Sequence, residues 1–449
     1  MSDTLFSDLG LSRDILSSVE ACGYGAPTEV QTRTIPFLLS GRDILATAQT
    51  GGGKTASFVL PIIQILSSDG RQTAHDGVKA SRKGDRRQAQ PRALIIAPTR
   101  ELAEQIFASV ATYGKHSSVT SAVVFGGASK HVQARELSRQ PDMLIATPGR
   151  LLDFIQDRAI DLSQVRYLVL DEADRMLDMG FLPDVRRISG MTASVRQTVL
   201  FSATMPPEIE RLAAQIQTRP ERVQCQSGDL TVIGIEQSVL FVEATSKISL
   251  LKQLIEDRGM FRVLVFTRTK HKAARLAKIL SKEGIKSDSI HGDRTQSQRK
   301  RALEGFRSGK VHVLTATDVA ARGLDVDDIS HVINLEMPAV ADAETYVHRI
   351  GRTGRAGATG SAISFCAPEE IQSLRAVEKL TGMKITVDRE HPYHVDPPAE
   401  RRGDHSSGRG RPKGGGGNGG HTPYKGRNNN RNRARTGSRS ASPSFRDRS

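Results

Sequence analysis

The sequence predicts two α/β domains in tandem, each a parallel sheet flanked by helices, followed by a disordered basic C-terminal tail. Three observations carry this. Short apolar runs alternate with amphipathic stretches, and the alternation occurs twice along the 449 residues. The runs are almost continuously apolar, as strands covered on both faces must be. Beyond about residue 395 the chain turns to Gly, Arg, Asn and Ser, which bury too little apolar surface to offset the entropy of ordering. The reading divides the chain into a first domain at 1–219, a hinge linker at 220–234, a second domain at 235–390 and a tail at 391–449.

In the first domain the expected strands are ALIIA (93–97), AVVF (122–125), MLIA (143–146), YLVL (167–170) and TVLF (198–201), with a further apolar stretch at Asp43–Ala46. Leu102, Ile106, Val110 and Tyr113 fall on one helical face of 101–115, and Thr99 stands where a cap belongs. In the second domain the expected strands are SVLFV (238–242), RVLVF (262–266), VHVLT (311–315), HVINL (331–335) and AISFC (362–366). No sequence repeat relates the two halves. Residues 67–92 are polar, basic and aperiodic, and read as a long surface loop.

The net charge is +15. From Arg401 onward there are thirteen Lys or Arg against Asp404 and Asp447, so most of that excess lies in the tail. A flexible basic tail points to nucleic acid more than to an anionic membrane. No apolar run approaches the ~18 residues of a membrane span, and the N-terminus lacks the pattern of a signal peptide. Cys22, Cys225 and Cys366 are far apart and show no metal-ligand spacing, as expected of reduced thiols in a cytoplasmic protein.

Two motifs carry chemistry. AQTGGGKT spans Ala48, Gln49, Thr50, Gly51, Gly52, Gly53, Lys54 and Thr55, between an apolar stretch and a helical one. Glycines there let backbone N–H groups approach phosphate oxygens, Lys54 neutralises the β and γ phosphates, and Thr55 offers a hydroxyl to Mg2+. Asp171-Glu172-Ala173-Asp174 follows YLVL directly, at the strand end where α/β sheets bind ligands. Asp171 is placed to hold Mg2+, and Glu172 to orient or deprotonate an attacking water. Alone, this quartet reads equally well as a solvated helix start; downstream of a phosphate loop it reads as the other half of a nucleotide site.

With these in order, the chain resembles the DEAD-box RNA helicases, most of all the bacterial RhlE-type branch, over roughly Phe6 to Gly357. The resemblance implies two RecA-like domains that use ATP with Mg2+ and bind RNA. It makes Gln31 of GYGAPTEVQ the adenine reader, with Phe6 stacking on the base and Asp325 near the ribose. It assigns RNA contacts to Pro98, Thr99 and Arg100 of PTRELA, to Gly126 and Gly127, and to Thr147, Gly149 and Arg150 of TPGR. In the second domain the matching positions are Arg268 of VFTRT, Gln296 and Arg299 of QSQR, and Thr317, Asp318 and Gly323 of ATDVAARGLD. Ser202 and Thr204 of SAT would couple nucleotide state to RNA through Asp174. In HRIGRTGRAG, Arg352 and Arg355 match arginine fingers, and His348 a sensor of the γ-phosphate. One departure stands in the phosphate loop: Gly52 takes the place of a small residue with a side chain; Ala48, where phosphate loops usually have a leading glycine, suits helicases better than small GTPases.

The family mechanism would have ATP and single-stranded RNA each bridge the domains, so that closure completes the ATP site and bends one RNA strand away from its partner. Local unwinding of short duplexes or remodelling of RNA–protein complexes is the leading expectation. An ATP-gated RNA clamp with little unwinding is the alternative, and a DNA helicase a further one. Ribosomal and RNA-decay complexes are the partners the resemblance leaves open, with the oligomeric state unread.

Overall fold

The computed structural model describes residues 4–48, 52–69, 88–225, 235–321, 329–354 and 360–396. The first domain holds a seven-stranded sheet of β1 (Ile44–Thr47), β2 (Ala93–Ile96), β3 (Ser121–Val124), β4 (Met143–Ala146), β5 (Tyr167–Leu170), β6 (Gln197–Ser202) and β7 (Glu221–Gln224). Its order is β3-β4-β2-β5-β6-β1-β7, parallel throughout. The second sheet is built from β8 (Ile235–Phe241), β9 (Val263–Phe266), β10 (Ser287–Ile290), β11 (Val313–Ala316), β12 (His331–Asn334), β13 (Gly360–Cys366) and β14 (Thr386–Val387). Its order is β10-β11-β9-β12-β13-β8-β14, again all parallel. Numbered from each sheet's own first strand, the two orders are the same, although the sequences show no repeat.

The central strands follow from composition. β2 and β4 are buried along their whole length. Apolar clusters cover both faces of the first sheet: Ile95 and Met143 pack with Phe58 and Ile63 on one side, Leu94 and Leu144 with Leu151 and Val185 on the other. Each such side chain contributes about 1.5–3 kcal/mol by leaving water. Thr99 caps the helix Arg100–Tyr113 as expected, accepting the Leu102 N–H at 3.3 Å.

Four expectations need correction. Glu221–Gln224, inside the stretch read as hinge, is β7 and pairs with β1. The polar segment 67–92 is narrower than expected: helix Lys54–Ser68 runs into it, and Ala89 at its other end is buried and bridges Ile160; residues 70–87 lie outside the described residues. The second domain extends past 390, where His394 bridges Val242 and Tyr393 and Val395 pack on the core. β10 and β14 were not expected at all. The three cysteines are free.

Candidate active site

Sheet order decides which loops meet. β5, β6 and β1 are neighbours, so the loop after β1, the carboxylates after β5 and the end of β6 converge at one part of the sheet's C-terminal edge. β3, β4 and β2 lie side by side beyond β5 and bring the loops after them together at the other part.

Gly53 enters the helix Lys54–Ser68 with φ +82°, and a Cβ there would stand 2.5 Å from Gln31 Nε2. Gln31 is 4% exposed; it accepts the Thr28 N–H at 2.9 Å and donates to the Gly53 carbonyl at 3.1 Å. Thr28 Oγ1 donates to the Gly52 carbonyl at 2.8 Å. The expected base reader is therefore engaged at both ends of its amide, one of them on the Gly53 carbonyl at the helix start. Lys54 is buried and donates to the Ala48 carbonyl at 3.2 Å, and Thr55 is half-buried. Phe6 is 6% exposed and part of the first domain's core, at the wall of a shallow pocket with Gly23, Tyr24 and Gly25. Only its margin is open, which leaves little ring for stacking. Gln49, Thr50 and Gly51 lie outside the described residues. Gly53→Ala imposes both a left-handed backbone, costing about 1–3 kcal/mol, and the clash with Gln31. We expect roughly tenfold weaker nucleotide binding, read by fluorescent-nucleotide titration.

Asp171 is 2% exposed, and its Oδ1 has no hydrogen-bond partner among the described residues. Burial pushes its carboxyl up to about 6, with Lys54 pulling the other way and Glu172 adding to the rise. Glu172 adopts the left-handed region at φ 57°, uncommon for a residue with a side chain. Its Oε2 pairs with Arg175 Nη1 at 2.6 Å, both side chains being buried. Asp174 ties β5 to β6: its Oδ2 accepts the N–H groups of Ala203 (3.0 Å) and Thr204 (2.9 Å) and the Thr204 hydroxyl (3.3 Å). In return its own N–H donates to Ser202 Oγ at 3.1 Å. The structure thus brings Asp174, Ser202 and Thr204 together.

A cleft over β2, β4 and β3 is lined by Pro98, Thr99, Arg100, Gly126, Thr147, Gly149 and Arg150, with Gly292 and Arg299 closing it from the second domain. Gly127, at φ +77°, lets the Arg100 guanidinium cross it; a Cβ there would lie 2.0 Å from Arg100 Nη1. Burial, then the charge of Arg299, depresses Arg100, and Arg150 adds to this against Glu101. Crowded guanidiniums of this kind favour an anionic ligand.

The second domain places its expected residues less openly. Arg299 is 8% exposed and its Nε is 2.7 Å from Glu101 of the first domain, with weaker bonds to the carbonyls of His291 and Ala320. Gln296 donates to Glu104 at 3.3 Å. In this arrangement Arg299 is held by the opposite charge of Glu101, and the Gln296 amide N–H is turned to Glu104, both on the helix Arg100–Tyr113. Asp318 is held in a two-point pair by Arg349 at 2.6 and 2.8 Å. Arg352 is 4% exposed and bonds the His348 carbonyl at 3.3 Å, so the expected finger is covered rather than extended. Arg268, Asp318 and His348 line a separate cleft with Thr345 and Asp178, and Thr317 is half-buried beside Asp318. Gly323, Asp325 and Arg355 lie outside the described residues.

Sequence reasoning missed Arg175, Arg349, Thr28 and Glu101. Arg349, 1% exposed, also bonds Asn334 Oδ1 at 3.1 Å and the Glu336 carbonyl at 2.8 Å. Thr28, Glu101 and Arg349 sit inside quoted motifs, but residue type alone does not mark the exposed threonine that holds the Gly52 carbonyl or the buried arginine that holds Asp318.

Two family models match the chain: DEAD/DEAH box helicase over residues 28–212 and helicase conserved C-terminal domain over residues 246–357. The DEAD-box ATP-dependent RNA helicase CshA of Bacillus subtilis is 40% identical over 380 residues, covering 85% of this chain and 73% of that protein. The ATP-dependent RNA helicase CshA of Listeria monocytogenes is 42% identical over 384 residues, covering 85% and 70%. Among solved structures, S. cerevisiae Dbp5 bound to RNA and ADP BeF3 matches with a TM-score of 0.74 at 30% identity, over 86% of this chain and 95% of that one. With Thr28 and Gln31 holding the carbonyls of Gly52 and Gly53, and Lys54 acting on Asp171, a chain this similar across both domains belongs to the DEAD-box ATP-dependent RNA helicases.

Proposed function

We propose that the protein hydrolyses ATP when bound to single-stranded RNA, and uses the cycle to unwind short duplexes or remodel RNA–protein complexes. The observation that carries this is the division of the site. Lys54, Asp171 and Glu172 belong to the first sheet's loops, while His348 and Arg352 belong to the second domain. Catalysis then waits on closure, and closure is what RNA controls. In this reading Gln31 and Phe6 serve the adenine, Arg352 and Arg355 the transferred phosphoryl group, and Pro98, Thr99, Arg100, Gly126, Gly127, Thr147, Gly149 and Arg150 the sugar–phosphate chain. Arg268, Gln296, Arg299, Thr317, Asp318 and Gly323 meet the same strand from the other side, Arg299 only after leaving Glu101. Mostly backbone contacts imply little sequence preference.

The buried Oδ1 of Asp171, unpartnered among the described residues, and the hydroxyl of Thr55 at the helix start suit a hard divalent cation. Asp171 and Thr55 would hold Mg2+, which supplies charge neutralisation at the phosphates. The basic tail would add sequence-independent RNA affinity that weakens with salt.

We place the chain in the RhlE-type branch on motif resemblance alone; the bacterial relatives above carry the name CshA. The proposed setting is the cytoplasm, on ribosomal or RNA-decay complexes. No helix among the described residues is long and apolar enough to cross a membrane.

The test is ATP turnover with no nucleic acid, with single-stranded RNA and with DNA of the same sequence, followed by displacement of a short labelled RNA strand. RNA should stimulate turnover at least about tenfold and DNA far less, with displacement requiring ATP. Equal stimulation by DNA would sink the RNA assignment, and ATP-dependent retention of RNA without displacement would favour the clamp.

A further inference from the structure

Beneath the second domain's cleft lies a buried ion pair, Lys247 with Glu370, that stands outside the quoted motifs. Lys247 opens the helix Lys247–Asp257 and is 4% exposed. Its Nζ donates to the Leu335 carbonyl at 2.8 Å, the Phe365 carbonyl at 3.1 Å and Glu370 Oε2. That ammonium has three hydrogens and all are engaged, so it has none left for a ligand. Glu370, also buried, accepts the Ala367 N–H at 3.1 Å and pairs through Oε1 with Arg268 Nη2 at 3.2 Å. Arg268 is fixed at two further points: its N–H donates to Glu336 Oε2 at 2.9 Å, and its Nε to the Met337 carbonyl at 2.9 Å. The other oxygen of Glu336 takes Lys272. The ends of β9, β12 and β13 therefore converge on one guanidinium.

What remains of Arg268 faces outward. Its side chain is 41% exposed and lines the cleft with Asp318, Thr345 and His348. A buried ion pair is by itself a poor source of stability, so Lys247 and Glu370 call for another explanation. Electrostatics offers one. Arg268 paired with Glu370 alone would be nearly neutral to an approaching anion. Lys247 cancels the carboxylate from below and leaves one net positive charge, carried by a side chain whose conformation is already set.

We infer that Lys247 and Glu370 are positioning residues that preorganise Arg268 as a cation for an RNA backbone phosphate. This rests on the reading of Arg268 as an RNA contact, and the experiment separates the two. Binding of a single-stranded oligouridine to the full chain is followed by fluorescence anisotropy across a salt series, with RNA-stimulated ATPase in parallel. K247M/E370L replaces the hidden pair with apolar groups of similar size and should melt near the wild-type temperature. It should weaken RNA binding about fivefold, the cost of re-ordering one long side chain on binding. The RNA concentration for half-maximal ATPase should rise by the same factor, with kcat at saturating RNA unchanged. Because Arg268 keeps its charge, the salt slope should hold; R268M should weaken binding and flatten that slope by about 0.7. If K247M/E370L fails to fold, K247M/E370Q keeps an uncharged acceptor for Arg268 without the buried ammonium, and should weaken RNA binding by a smaller factor. Wild-type RNA affinity in whichever of these variants folds, beside a weakened R268M, overturns the positioning role. Wild-type affinity in R268M overturns the RNA reading of Arg268 and the inference with it.

Discussion

Lys54→Ala is expected to lower ATP turnover at least about 100-fold, the scale on which removal of one charge-stabilising donor acts in a water-excluded site. Lys54 is buried, its charge acts on Asp171, and among the described residues its ammonium bonds the Ala48 carbonyl. That bond is easily exchanged for phosphate oxygens, which makes Lys54 a charge held ready for a ligand. A coupled expectation concerns pH. Burial already pushes Asp171 up to about 6, from an ordinary value of 3.8, and Lys54 is the strongest influence opposing the rise. A carboxyl whose folded pKa lies above its unfolded one stabilises the fold below about 3.8 and loses that contribution as pH rises through about 6. Without Lys54 the loss should reach higher pH. Melting temperatures of the nucleotide-free variant, compared with wild type at pH 5 and pH 7, should therefore show a larger drop at pH 7. Wild-type turnover in Lys54→Ala would mean that the phosphate loop has been misread.

The fold was legible where strands are buried on both faces. MLIA and YLVL coincide with β4 and β5 to the residue, because a central parallel strand has to be apolar throughout. The strands that escaped are edges or near-edges. In β7 only Val223 is buried, β10 reads Ser-Asp-Ser-Ile, and β14 is two exposed residues. Polar edges protect a sheet from pairing with other chains, and the same polarity makes them look like loop. The candidate ATP site divides in the same way. Asp171 directly follows β5, Asp174 lies one turn on in the helix Ala173–Asp178, and Lys54 opens the helix that follows β1, so the segments after β5 and β1, the two strands flanking β6, carry all three. The partners Arg175 to Glu172, Arg349 to Asp318 and Arg299 to Glu101 were not legible. The last pair joins residues 198 positions apart, and no local pattern encodes a contact that only the packed chain creates.

Glu172→Gln should leave nucleotide binding within about twofold of wild type while lowering hydrolysis by roughly 10²–10⁴, the range for loss of a general base. The substitution keeps size and shape and removes only the ability to take a proton. Three observations argue that this side chain is held for chemistry rather than for the fold. Its backbone occupies the left-handed region, a strained choice that ordinary packing does not require. Its carboxylate meets Arg175 at one oxygen, 2.6 Å away, leaving Oε1 outside that pair. It is adjacent in sequence to Asp171, and its charge adds to the rise of that carboxyl, so the two act in one site. The buried Arg175 faces an amide oxygen instead of a carboxylate in the variant, so some stability is lost as well. A melting temperature measured alongside separates that loss from the effect on hydrolysis. Fluorescent-nucleotide titration and single-turnover hydrolysis on the same sample decide the role of Glu172. Loss of nucleotide binding in a folded variant would place Glu172 among the binding groups, and intact hydrolysis would remove it from the reaction.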